Sequence, residues 1–360
     1  MTTQQGLGLY GLVTATLAAL LAMPEPIRAE TAVPTLLARE AHLEVCTSQE
    51  IRDGGGSDFV TALASMPDGR QLLVGCRSGA VELRTAEGQL RFRQQPKLFD
   101  VQSVAVTPDG RLLFSLAGDT IHRWSTTGEP RGSFKTAIAK DGDCEGCDTR
   151  VMVISPDGKS LLTGHRNGSA VLWNTEGVQL RRFEHPSWGS QVNQVAFDPS
   201  GSSIAIGEER GTVRRWSTTT GRLLSEIDTG LATLNSLAVT ASGDVWAAGW
   251  NGGGAGRWDP LGRLHTALRE NAIVDPFQVL PQGTGVVLGG SQYGDNYFEI
   301  RDLQGQLLMN LRIPDDMMEA GNSVPSLSLG NPLLVSADGK LLYLAVSSWI
   351  YLWDLPVDAP

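Results

Sequence analysis

Beyond residue 42 the chain runs in short stretches of alternating apolar and polar residues, each broken by a turn that contains glycine. One such turn recurs seven times: Pro67-Asp68-Gly69, Pro108-Asp109-Gly110, Pro156-Asp157-Gly158, Pro199-Ser200-Gly201, Ala241-Ser242-Gly243, Pro281-Gln282-Gly283 and Ala337-Asp338-Gly339. Successive turn glycines are 41, 48, 43, 42, 40 and 56 residues apart. Apolar runs such as Ser103-Val104-Ala105-Val106 and Leu112-Leu113-Phe114 flank each turn, and period-2 runs around a glycine turn predict a hairpin. A third run ends in a large apolar residue, in order Leu83, Trp124, Trp173, Trp216, Trp258, Ile300 and Trp353. After the first six comes a second turn glycine (Gly88, Gly128, Gly177, Gly221, Gly262, Gly305) and a fourth run, as in Leu180-Arg181-Arg182-Phe183. Four antiparallel strands per ~42 residues make the blade of a propeller, so the pattern predicts an all-β, seven-bladed β-propeller over residues 42–360.

The seventh repeat stops at Trp353-Asp354-Leu355-Pro356, with no fourth strand after it. A lone alternating segment, His42 to Ser48, sits at the other end of the propeller region. Donated to the last blade, it joins the two ends of the ring through backbone hydrogen bonds and removes an unpaired edge. Residues 30–41 then read as a linker.

Trp258-Asp259 and Trp353-Asp354 carry the terminal dipeptide of the WD-repeat family, and Trp124-Ser125, Trp173-Asn174 and Trp216-Ser217 keep its tryptophan. The region from 43 to 360 therefore resembles that family. It departs from the pattern in lacking the Gly-His dipeptide, so the family's buried His–Asp network is not carried over. The Pro-Asp-Gly hairpins also resemble those of bacterial TolB-like and lactonase-like propellers. The first resemblance implies a non-enzymatic scaffold that binds other proteins. The second implies the alternative, a lactonase-like hydrolase with its site in the central channel.

Composition adds to this picture. Forty-two glycines and eighteen prolines among 360 residues suit many turns between short strands. A net charge of -10 with no Lys/Arg-rich run disfavours a nucleic-acid partner. Gly6 to Met23 is uncharged and mostly apolar, and Pro24 and Pro26 follow it, with Ala22 and Ala29 suited to a cleavage site. Residues 1–29 read as a signal peptide, which predicts export to a periplasm, a lumen or the medium. The first five residues hold no Lys or Arg, so an uncleaved anchor is the alternative, with membrane contact confined to residues 6–23. Gly6-Leu7-Gly8-Leu9-Tyr10-Gly11 fits a dinucleotide fingerprint by spacing, but no strand precedes it, and it reads as coincidence.

Motifs for catalysis are sparse. His42, His122, His165, His185 and His265 are scattered, and His122 and His265 fall inside strands. His-Glu-x-x-His, Gly-x-Ser-x-Gly and a complete phosphate loop are absent, so no catalytic residue and no cofactor are expected. Asp141, Asp143, Glu145 and Gly146 reproduce the opening of a calcium loop, whereas its twelfth position is Met152 in place of a bidentate Glu. That loop reads first as a solvated acidic segment and second as a calcium site. Cys144 and Cys147 within it are expected to form a small disulfide in an exported protein. Cys46 and Cys76 fall in neighbouring blades, and the sequence leaves open whether they are bonded. Asn167-Gly168-Ser169 is a glycosylation sequon.

The seven Pro-Asp-Gly-type turns all lie on one face of a propeller. The turns between second and third strands lie on the other, with the connections between blades. This second face is predicted to gather Arg77, Arg166, Arg210, Trp250, Tyr293 and Trp349, with Trp188 on the connection between blades 3 and 4. Aromatic and arginine side chains on the loops of a rigid ring form protein-binding hot spots, and this face is the expected docking surface. Packing under neighbouring loops is the competing reading for Trp250 and Trp349.

Overall fold

The computed structural model describes residues 35–37, 43–46, 58–96, 99–136, 149–184, 190–250, 253–270, 272–280, 283–292, 295–312 and 332–356, within a compact unit spanning Val33–Pro360. All regular elements among them are strands, in seven sheets, so the chain is a seven-bladed β-propeller. Blade 1 holds Val60–Ser65, Gln71–Cys76, Val81–Thr85 and Leu90–Gln94. Blade 2 holds Val101–Val106, Leu113–Ala117, Thr120–Trp124 and Pro130–Lys135. Blades 3, 4 and 5 begin at Thr149, Val192 and Thr233 and repeat this antiparallel order. The first strand of each blade touches the first strand of the next, and that of blade 7 (Leu333–Val335) touches that of blade 1, so these strands form a closed inner circle.

The seam follows the sequence expectation. Leu43–Glu44 pairs antiparallel with Trp349–Asp354 as the fourth strand of blade 7, in the register Leu43 to Ile350 and Glu44 to Trp349. Val45 and Val60 then donate their N–H groups to the carbonyls of Ser348 and Ser347, both at 2.8 Å. A disulfide joins Cys46 to Cys76 on the second strand of blade 1. The ring is thus closed twice, once by hydrogen bonds and once covalently. Cys144 and Cys147 lie outside the described residues, as do Asp141, Asp143 and Glu145 of the calcium-like loop. The expected linker holds one further element: Thr35–Leu37 adds in parallel to the outer strand of blade 6 (Leu307–Arg312). Periodicity over three residues is too short to betray such a strand. The apolar segment 6–23 also lies outside the description, and among the described residues no helix is long and apolar enough to cross a membrane.

Two repeated contacts hold blade to blade. Near the axis, a polar side chain on one first strand bonds the backbone of the next. Thr61 donates to the Val101 carbonyl (2.6 Å), Gln194 to Asn235 (2.7 Å) and Asn235 to Val274 (2.8 Å). Met152 N–H donates to the Ser103 hydroxyl (3.1 Å), and Val335 N–H to the Gln278 carbonyl (2.9 Å). At the rim, the glycine between third and fourth strands lies under an outer-strand side chain of the preceding blade. Phe92 covers Gly128, Phe134 covers Gly177, Arg181 covers Gly221 and Leu268 covers Gly305. Leu43 covers Gly88 in the same way, which shows that the donated segment takes the place of a true fourth strand. A Cβ at Gly128 would meet the Phe92 ring at 2.6 Å and one at Gly177 the Phe134 ring at 2.4 Å, so those two contacts need a glycine.

One sequence alignment is shifted by a residue. The strand pairing that sets Leu113 opposite Trp124 and Leu342 opposite Trp353 sets Leu72 opposite Arg84 and Val286 opposite Arg301. Arginine, rather than Leu83 or Ile300, therefore stands at the tryptophan position of blades 1 and 6. Each pairs with a buried glutamate two residues before it, Arg84 with Glu82 and Arg301 with Glu299, both at 2.6 Å. Arg93 adds to the first pair and Arg269 to the second. Burial alone would raise Glu299, but hydrogen bonds from Arg269 and Arg301 outweigh it and hold its carboxyl below the usual range. In blade 3 the tryptophan anchors a buried chain instead: Trp173 Nε1 donates to Thr163 (2.9 Å), which contacts His165 Nε2 (2.9 Å). His165 Nδ1 meets Thr149 (3.3 Å), so a histidine network exists here without a Gly-His dipeptide.

Two outcomes follow. The closed loop of the Cys46–Cys76 bond spans 30 residues, for which chain entropy predicts about 3.6 kcal/mol. Replacing both cysteines by serine lowers the melting temperature by roughly 5 °C, and deleting residues 41–50 lowers it further. Calorimetry checks both, and an unchanged melting temperature refutes the double closure. Hydroxyl donors at Thr107, Ser155 and Ser336 hold Asp109, Asp157 and Asp338 below the ordinary value of 3.8. Depressed folded-state values give stability that is present above the unfolded value and is lost as pH falls through the folded one. The melting temperature therefore drops as pH is lowered below about 4.

Candidate functional site

The face bearing the turns between second and third strands is built on short polar turns that its own side chains brace. On blade 1 the buried Asp58 carboxylate accepts from the Ser78 hydroxyl (2.6 Å), from Ser78 N–H (2.9 Å) and from Phe59 N–H (3.0 Å). This pins the Arg77-Ser78 turn against the connection entering the blade. Arg77 N–H bonds the Phe59 carbonyl (2.9 Å), and its guanidinium stands 4.8 Å above the Phe59 ring. Gln95 then donates to the Ser78 carbonyl (2.9 Å) and ties the exit of blade 1 to the same turn.

Beside it, on the connection from blade 1 to blade 2, Phe99 is 60% exposed and lies next to Gly118, in the corresponding turn of blade 2. Asp119 in that turn accepts from Thr149 N–H (2.9 Å) at the start of blade 3. Arg150, also exposed, donates to Gln191 (2.6 Å) across to blade 4. Phe99 and Arg150 were absent from the sequence expectation. The signal for Phe99 was an aromatic in a blade-to-blade connection, out of phase with both neighbouring strands. Arg150 lies at a bulge between Thr149 and Val151, where the period-2 rule breaks.

Of the residues expected on this face, Arg77, Arg166 and Arg210 occupy the predicted turns of blades 1, 3 and 4 and are exposed. Each sits on its own blade, and the ring brings them to one face without bringing them into contact. Trp349 starts the third strand of blade 7 and is half-buried against the core cluster that includes Phe298 and Trp353. Trp250 ends the second strand of blade 5, its backbone paired with Thr233. Trp188 and Tyr293 lie outside the described residues.

Metal-ligating groups come together at one place among the described residues: Cys46, Asp58 and Cys76, with ligand atoms within 4.8 Å of one another. Both sulfurs there are spent in the disulfide, and the cluster sits at the seam between blades 7 and 1. His265 reaches Asp259 (3.2 Å), and His122 stacks on Trp124 at 5.8 Å.

Residues 177–217 match the family model described as WD domain, G-beta repeat. That match opens in the rim turn of blade 3 and closes in the third strand of blade 4, so the sequence repeat is out of phase with the blade. The match covers one repeat of a ring of seven blades, and it supports a seven-bladed β-propeller of the WD-repeat kind. It is similar to telomerase protein component 1 of Mus musculus, 24% identical over 252 residues, which cover 68% of this chain and 9% of that protein. The Rattus norvegicus counterpart is 27% identical over 258 residues, 65% of this chain and 9% of its own length. Small ribosomal subunit protein RACK1y of Oryza sativa subsp. japonica is 32% identical over 83 residues, 23% of this chain and 24% of that protein. The chain thus spans about a tenth of the telomerase components it matches. These likenesses support a role in protein–protein interaction.

Bracing and display separate cleanly on this face. Asp58→Ala leaves the Ser78 and Phe59 N–H groups without their acceptor and costs about 1–3 kcal/mol. Phe99→Ala leaves the denaturation midpoint within about 0.5 kcal/mol of the parent. Urea titration of both variants checks the pair.

Proposed function

We propose that this propeller is a non-enzymatic scaffold outside the cytoplasm, with the face bearing Arg77, Arg166 and Arg210 as its docking surface. The observation that carries this reading is Phe99, a large aromatic side chain held 60% exposed on a face whose turns are otherwise fixed by buried hydrogen bonds. A rigid support that displays an exposed aromatic, with arginines on other turns of the same face, is what an interaction hot spot needs, because little ordering entropy is lost on binding. Relatives named as a telomerase component and a small ribosomal subunit protein are parts of larger assemblies, which supports the same role here. A buried disulfide at the seam supports an oxidising compartment, where such bonds persist. On the sequence reading, Trp188, Trp250 and Tyr293 belong to the same docking surface.

Crosslinking and capture from the native compartment test the proposal. Phe99→Asp and Trp188→Ala lose the partner that the parent captures, with unchanged melting temperatures. Capture that survives both changes refutes this face as the docking surface. No cofactor is needed in this reading, so chelator leaves the melting temperature unchanged.

A further inference from the structure

The buried groups at the seam come from both of its sides. Cys46 follows the donated strand Leu43–Glu44, Asp58 lies on the connection entering blade 1, and Cys76 ends the second strand of that blade. All three are buried, and both sulfurs and a carboxylate oxygen of Asp58 lie within 4.8 Å of one another. Among the described residues, Asp58 Oδ1 accepts from two backbone N–H groups, those of Phe59 and Ser78. Oδ2 accepts from the Ser78 hydroxyl (2.6 Å), which leaves it a lone pair. The serine thus orients a carboxylate that still has an acceptor site to offer.

The charge beside this cluster suits an anionic complex. Cys46 N–H lies 3.5 Å from Glu82 Oε2. Glu82 is wholly buried and pairs with two arginines, Arg84 on Oε2 at 2.6 Å and Arg93 on Oε1. One carboxylate against two guanidinium groups leaves that trio with a single positive charge. Two thiolates and one carboxylate round a divalent cation carry a single negative charge, so the two balance inside the seam. Distances suit it as well. On a tetrahedral zinc ion with Zn–S bonds of about 2.3 Å, two sulfurs stand about 3.7 Å apart, and a sulfur and an oxygen about 3.5 Å. With their Cα atoms 5.6 Å apart, the two sulfurs of a reduced pair reach that separation by rotation about the Cα–Cβ bonds. The Asp58 oxygen then has about 1 Å to close.

We propose that the seam is a redox-gated metal site: once the Cys46–Cys76 bond is reduced, Cys46, Cys76 and Asp58 bind one zinc ion, with the fourth position left to water. A small dithiol supplies two electrons and two protons to the bond and leaves as its own cyclic disulfide. The cation then displaces both thiol protons. Access comes from opening of the Leu43–Glu44 pairing, which is two residues long. Thiolate ligands select zinc over calcium and magnesium. Because the ligands come from both sides of the seam, the ring keeps a cross-link there in either redox state. This site is separate from the docking face and does not rest on it.

The test uses the full chain carrying Cys144→Ser and Cys147→Ser, so that the other cysteine pair takes no metal. The protein is reduced with a phosphine under argon, its free thiols are counted, and it is titrated with cobalt(II) and then with zinc. One cobalt per chain is expected, with sulfur-to-cobalt charge-transfer absorption and the intense visible bands of a tetrahedral ion. Zinc displaces it, and the oxidised chain takes up neither metal. Cys46→Ser abolishes uptake. Asp58→Asn keeps an acceptor for Ser78 and Phe59, and it weakens uptake about tenfold while the charge-transfer band remains. Zinc raises the melting temperature of the reduced chain by several degrees and leaves that of the oxidised chain unchanged. Uptake indifferent to Cys46→Ser or to Asp58→Asn overturns the proposal. So does a bond that the phosphine fails to reduce in the folded protein, or a reduced chain whose β-sheet circular dichroism is lost and not restored by zinc.

Discussion

Everything in this molecule depends on the ring being closed, because no four-stranded sheet of it buries both faces alone. The core is not one mass but a circuit of clusters at the junctions between blades, such as the group joining Leu73, Phe92, Val104 and Trp124 across blades 1 and 2. An open circuit would expose two apolar sheet faces at once, one on blade 7 and one on blade 1. The strand at Leu43–Glu44 prevents this, and the cluster of Leu43, Val45, Val60 and Tyr343 fills the last junction. The Cys46–Cys76 bond lies in that cluster, so the covalent link falls where the chain has its one break in connectivity.

Closure tolerates variation in how each junction is filled. Most blades use tryptophan, but blades 1 and 6 use arginine clamped to a buried glutamate. These ion pairs work because two guanidinium groups satisfy both carboxylate oxygens of Glu82 and of Glu299 inside the sheet, which an unpaired buried charge would not allow. Blade 4 offers a third solution: Arg214 lies between Glu208 and Glu226.

The two faces differ for the same reason. On one, aspartates bonded to neighbouring hydroxyls shape the hairpins, and three turn glycines (Gly110, Gly158 and Gly201) stack on the proline of the blade before. On the other, Asp58 and Asp119 bond across to neighbouring segments, which frees the tips of the turns to carry arginine and the connections to carry Phe99. A ring this braced can display side chains without having to order them first.

Local chemistry in the sequence was enough for the number of blades, their strand order, and the donation of residues 43–44 to the last one. Alternation and glycine turns are properties of neighbouring residues, and a ring with three strands at one end and one at the other has a single way to close. Arg77, Arg166 and Arg210 were legible too, since topology alone assigns turns to faces. The arginines at the tryptophan positions were not, because Leu83 and Ile300 preserve the apolar pattern one residue away and only strand register tells the two apart. Nor were the Cys46–Cys76 bond, the parallel addition of residues 35–37 or the exposure of Phe99. Each depends on distances between segments far apart in the chain, which no local pattern encodes and only packing of the closed ring decides.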